Sequence, residues 1–118
     1  MRRLPGWALP VTLAAAAGCA TPPPPTAGAP ATLESVAVYR ACAWGHLKPL
    51  QASNLSGSPM SVALMAEAAC GQQREAVRAA VLAENAAHPG ADAFATSYAM
   101  EARRLVLAEM AERLLKRP

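Results

Sequence analysis

The sequence predicts a small all-α protein: an antiparallel three-helix bundle, or four helices if the middle one is broken, stapled by one disulfide. Three observations carry this. Alanine is the commonest residue, with 30 in 118, and it favours helix because it gives up no side-chain entropy. Apolar residues recur at the helical period, as in Val77, Ala80 and Val81 or Leu107, Met110, Ala111 and Leu114, and no segment sustains the alternation of a strand. Two of the three cysteines, Cys42 and Cys70, fall within the part expected to fold. Alanine buries little area and only five aromatics are present, so the core is thin and a covalent staple is expected.

The chain opens with a basic start, Met1-Arg2-Arg3, then an uncharged apolar run from Trp7 to Ala17, closed by Gly18-Cys19. That is the layout of a secretory signal. The run is shorter than the ~20 residues a membrane-spanning helix needs, and Pro5 and Pro10 oppose a stable helix there. The residues at the cut, Ala16-Ala17-Gly18-Cys19, resemble the lipobox of bacterial lipoproteins. The resemblance covers the leader only. It implies cleavage between Gly18 and Cys19 and attachment of lipid to the Cys19 sulfur and its new amino group. The sequence departs from the family at Ala16, where Leu, Val or Ile is preferred. Ala20 stands where an Asp retains proteobacterial lipoproteins at the inner membrane, so the resemblance implies the periplasmic face of the outer membrane. Several acyl chains on one residue anchor stably, since each buried CH₂ contributes about 0.8 kcal/mol. Three regions follow: a signal peptide over 1–18, a lipidated cysteine and linker over 19–31, and a helical domain over 32–118.

The linker, "TPPPPTAGAPAT" from Thr21 to Thr32, holds five prolines and no charge. Consecutive prolines favour polyproline II at about 3.1 Å per residue, so twelve residues reach roughly 35 Å. A tether that holds the domain off the membrane is the expected role. No flanking charge marks a proline-recognition motif.

Thr32 is expected to cap the first helix, with Glu34 placed favourably against its amino end. This helix runs to about Trp44, with Gly45 or Pro49 as its stop. "KPLQASNLSGS" reads as a loop. Ser58-Pro59 is a strong helix start, a capping hydroxyl followed by proline at the first helical position. The helix that follows carries Gly71, which bends it or splits it in two. His88-Pro89-Gly90 is a break, and Asp92 is expected to cap the last helix. Glu109–Arg113 and Glu112–Lys116 are spaced four apart with the acid first, the favourable order.

With Cys19 lipidated, Cys42 and Cys70 remain as a pair, and an export signal points to a disulfide between them. The rival is "CAWGH", Cys42 to His46: a cysteine and a histidine four apart on a helix face, with Cys70 and His88, supply four metal ligands. Against it, Gly45 is expected to end the helix before His46, and oxidised sulfur cannot bind as thiolate. Tyr39 and Trp44 are expected to pack near the disulfide, and otherwise form an interaction surface. Met60, Met65, Met100 and Met110 read as core rather than a copper site.

The net charge of +3 includes Arg2 and Arg3; from Cys19 onward nine basic residues face eight acidic ones, +1. Acids and bases alternate along the helices without a basic aromatic face, which excludes a nucleic-acid binder. No Ser/His/Asp set, phosphate loop or metalloprotease motif occurs. The expected protein is therefore not an enzyme and carries no cofactor. It is an interaction or accessory module bound to the membrane through Cys19, with an envelope protein as partner. A pilotin-like lipoprotein, which guides a secretion-pore subunit to the outer membrane, is one form of this. The alternative is a periplasmic metal- or redox-binding protein using Cys42, Cys70, His46 and His88.

Overall fold

The computed structural model describes residues 22–53 and 57–116, so the leader, Gly18 and Cys19 lie outside the described residues. Among those described there are four α-helices and no strand: α1 (Pro30–Ala52), α2 (Pro59–Ala68), α3 (Gly71–Glu84) and α4 (Ala91–Leu115). α2 and α3 form one broken arm running antiparallel to α1, and α4 returns alongside α1. α3 packs on the first half of α1 and on α4; α2 packs on the second half of α1 and on α4. The bundle thus has two poles. One holds the start of α1 and the α3–α4 turn; the other holds the end of α1, the start of α2 and the end of α4.

α1 starts earlier than Thr32. Pro30 takes the first helical position after Ala29, where its missing N–H costs nothing and its fixed φ suits the helix. Thr32 lies inside the helix, fully buried. The helix also passes through Gly45 and Pro49 to end at Ala52. Pro49 leaves the carbonyl of Gly45 without its helical donor. Both residues are exposed, so water can satisfy that carbonyl. Meanwhile Leu47 is fully buried and Leu50 packs on the core, so burial carries the apolar face past the proline.

The Ser58-Pro59 start is as expected, with the Ser58 hydroxyl accepting from the Ser61 N–H at 3.1 Å. The middle arm does split. The break falls at Ala69-Cys70, and Gly71 opens α3. α4 begins at Ala91 after Gly90 rather than from an Asp92 cap; Asp92 sits in the first turn and pairs with Arg78 at 3.2 Å. Glu112–Lys116 forms at 3.4 Å. Glu109 instead pairs across the bundle with Arg40, because the Arg113 guanidinium lies over the Trp44 ring, 5.8 Å from its centroid.

The core gathers Tyr39, Ala43 and Leu47 of α1, Val62, Ala63 and Ala66 of α2, Cys70, Val77 of α3, and Val106, Leu107 and Met110 of α4. Ala91, Ala95 and Ala99 are buried at four-residue spacing on α4. Small side chains there let α3 and α4 approach closely.

Candidate functional site

Cys42 and Cys70 are joined by a disulfide with their Cα atoms 6.0 Å apart. Cys42 is half-buried and Cys70 fully buried. The bond ties the middle of α1 to the break between α2 and α3, where the Cys70 N–H donates to the Glu67 carbonyl at 2.9 Å and the Cys70 carbonyl accepts from the Arg74 N–H at 3.0 Å. His46, one turn beyond Cys42, is exposed, and its ring joins the two sulfurs in a cluster whose ligand atoms lie within 4.8 Å of one another. Because α1 continues through Gly45, the Cys42–His46 spacing does place both on one helix face. His88 is not part of this group. It stands at the α3–α4 turn, where its Nδ1 accepts from the Gly90 N–H at 2.9 Å, beside Pro22, Pro23 and Pro24. In the oxidised state the sulfurs are bonded to each other, which leaves His46 as the one free donor of the cluster.

Tyr39 is fully buried and contributes to no surface. Its hydroxyl donates to Glu67 Oε2 at 2.8 Å. Glu67, only 1% exposed, also receives Arg74 and, at 3.2 Å, Arg103. One buried carboxylate on α2 thereby joins α1, α3 and α4. Burial first, then the neighbouring Glu67, pushes the Tyr39 phenol well above its ordinary range. Trp44 is half-buried under Arg113 and retains an exposed edge. A groove of about 190 Å³ between α3 and α4 is lined by Arg74, Arg78 and Arg103, but Glu67, Glu75 and Asp92 pair with these three.

The third constellation lies at the pole where the chain enters the bundle. Glu84, the last residue of α3, accepts from the Thr26 and Thr32 hydroxyls, both at 2.7 Å, and from the Gly28 and Ala29 N–H groups at 3.0 and 3.1 Å. These donors, the two hydroxyls foremost, hold its carboxyl below the usual carboxylate range against the opposing effect of burial. Asn85 pairs with the backbone of Thr26 in both directions: its Oδ1 accepts from the N–H at 2.8 Å and its Nδ2 donates to the carbonyl at 2.7 Å. The same Nδ2 donates to the Val81 carbonyl at 2.8 Å, which locks the amide orientation. Glu84 takes the place expected for a side-chain cap on α1, and a carboxylate at a helix amino end is favoured by the helix dipole. Sequence reasoning missed both Glu67 and Glu84. Glu67 stands alone among apolar neighbours in "VALMAEAAC", an acid at a core position, and that was its one local signal.

Among the described residues no helix is long and apolar enough to cross a membrane. No protein-family model matches the chain, and no curated protein or solved structure matches it either. Fold and side chains together define a disulfide-stapled helical bundle with a broken middle arm and a clasped amino-terminal segment.

Proposed function

We propose that this is a small lipid-anchored envelope module that binds another protein and has no catalytic role. Lipid on Cys19 holds it at the periplasmic face of the outer membrane, in keeping with the lipobox-like Ala16-Ala17-Gly18-Cys19. The observation that supports a binding role is apolar exposure. Of the methionines expected in the core only Met110 is buried; Met60, Leu64 and Met65 of α2 are 38–53% exposed and Leu115 of α4 is 71% exposed, while Leu33, Val38, Met100 and Leu105 are exposed elsewhere on the bundle. Met60, Leu64, Met65 and Leu115 belong to the pole opposite the entry of the amino-terminal segment. The partner in this reading is an apolar segment of an envelope protein. A pilotin-like role, delivering a secretion-pore subunit to the outer membrane, fits the size, anchor, helices and cysteine pair.

Two measurements test this. Mass spectrometry of the mature protein is expected to find acylated Cys19 as its first residue; an unlipidated start elsewhere sinks the anchor. A photoreactive side chain at Met65 is expected to capture one envelope protein in the living cell, and Leu64→Asp is expected to abolish that capture. Capture that persists in Leu64→Asp places the contact elsewhere.

The Cys42–His46–Cys70 cluster supports a second reading, a metal or redox binder acting from its reduced form. Thiol counting on the exported protein separates the two. Free thiols at both cysteines with co-purifying zinc or copper favour the second reading, and a closed disulfide favours the first.

A further inference from the structure

We infer that the Glu84–Asn85 clasp fixes which end of the bundle meets the lipid surface: the α3–α4 pole faces the membrane, and the opposite pole is held away from it. This rests on the lipid anchor at Cys19 proposed above.

The argument is one of length. The clasp holds Thr26 to the end of α3 through both backbone groups and its hydroxyl. The free tether therefore ends at Thr26 rather than at the start of α1. From Cys19 to Thr26 is 26 − 19 = 7 residues, which span at most about 25 Å when fully extended. α4 has 25 residues, so the bundle is about 37 Å long at 1.5 Å per residue. Turning the far pole toward the membrane requires the tether to run the whole length of the bundle, and 25 Å does not reach. Without the clasp the tether would run to Pro30, 30 − 19 = 11 residues, or about 38 Å, and both orientations would be open.

The surface at the clasped pole suits a lipid headgroup layer. Ala86, Ala87 and Pro89 are exposed there, and from Asn85 to Ala91 the only ionisable side chain is His88. Of the acids near this pole, Glu84 is already satisfied by four donors, Asp92 in the first turn of α4 is exposed but paired with Arg78 at 3.2 Å, and Glu34 is exposed one turn into α1. Pro22, Pro23 and Pro24 run beside Ala87 and His88, so the chain leaves the bundle along this same surface. Met60, Leu64, Met65 and Leu115 are then turned toward the periplasm, where a partner approaches.

Trp44 is the sole tryptophan after Cys19, which makes a single-tryptophan test direct. In the full-length lipidated protein carrying Trp44→Phe, a reporter is placed by Ala87→Trp or by Leu115→Trp. The protein is reconstituted into phosphatidylethanolamine–phosphatidylglycerol vesicles containing dansyl-labelled headgroups, and energy transfer from tryptophan is read. Transfer from position 87 is expected to exceed that from position 115 several-fold. Adding Glu84→Ala and Asn85→Ala is expected to bring the ratio close to one. Equal transfer from the two positions with the clasp intact overturns the inference. So does an unchanged ratio when the clasp is removed.

The anchor is judged separately, by the mass of Cys19. If it bears no lipid, the membrane-facing inference falls together with the anchor. Deuterium exchange on the exported protein, which needs no lipid, then reports the clasp itself. Slow exchange at the Thr26, Gly28 and Ala29 amides is expected, and exchange at free-peptide rates overturns the clasp.

Discussion

Reducing the Cys42–Cys70 disulfide is expected to lower stability sharply while leaving the fold recognisable. The bond closes a loop of about 29 residues, the two cysteines being 28 apart in sequence. In the chain-entropy model such a loop contributes roughly 3.5 kcal/mol, nearly all of it by restricting the unfolded chain. A domain of this size has about 4–13 kcal/mol in total, so the bond is a large share of the margin. With a urea dependence near 1 kcal/mol per molar, reduction shifts the unfolding midpoint down by about 3.5 M. At roughly 4–8 °C per kcal/mol, the thermal midpoint falls by about 14–28 °C. The helices keep their core, because Tyr39, Ala43, Leu47, Val77 and Met110 belong to it together with Cys70 and do not depend on the covalent bond for their burial. The measurement is helical circular dichroism against urea, with and without a phosphine reductant, and thiol counting to establish that both sulfurs are free. Cys70 is fully buried, so reduction needs partial unfolding first. A midpoint that moves by less than about 0.5 M would refute the reasoning, since it would show that the loop is already restricted in the unfolded chain.

Glu84, Tyr39 and Gly71 each carry a further expected outcome. The Glu84 carboxyl is held low in the folded state, so its contribution is full above the unfolded value near 4.3 and is lost as pH falls through the folded value. Urea midpoints between pH 3 and 6 should show that loss, and Glu84→Gln should remove it; an NMR titration of Glu84 at an ordinary carboxylate value contradicts this. Tyr39→Phe removes a hydrogen bond to a charged group and is expected to cost about 1.5–3 kcal/mol in urea unfolding. The Tyr39 phenol is raised in the fold, so its contribution holds below the unfolded value near 10 and is lost as pH climbs beyond it. A Tyr39→Phe variant with wild-type stability would show that Glu67 gains nothing from the phenol. Gly71→Ala is expected to stabilise by about 0.4–1 kcal/mol, because an added Cβ meets only the Arg74 side-chain tip at 3.8 Å; a destabilised variant would mean the break needs glycine itself.

Much of the fold is legible in short stretches. Ser58-Pro59 starts α2 because a hydroxyl and a fixed φ act within one turn. The His88-Pro89-Gly90 break is equally local, and so is the Glu112–Lys116 pair. Local signals failed where a distant group competes. Gly45 and Pro49 look like helix stops, yet Leu47 and Leu50 between and beyond them gain more from burial than the helix loses at one solvated carbonyl. Glu109 has Arg113 one turn away but pairs with Arg40 of α1, since Trp44 draws Arg113 toward itself. Thr32 looks like a cap and is instead a donor to Glu84, 52 residues away.

The helical class and the break at His88-Pro89-Gly90 are readable from the amino acids alone, because periodicity and turn chemistry are local; the Cys42–Cys70 pair is readable only as an expectation that sets Cys19 aside. The three-dimensional packing makes Glu67 a buried hub, lets Glu84 and Asn85 hold Thr26, and stands His46 beside the disulfide while His88 lies elsewhere. Those outcomes depend on which helix ends meet in space. A carboxylate's partners are set by distance across the bundle, and spacing along the chain carries no record of it.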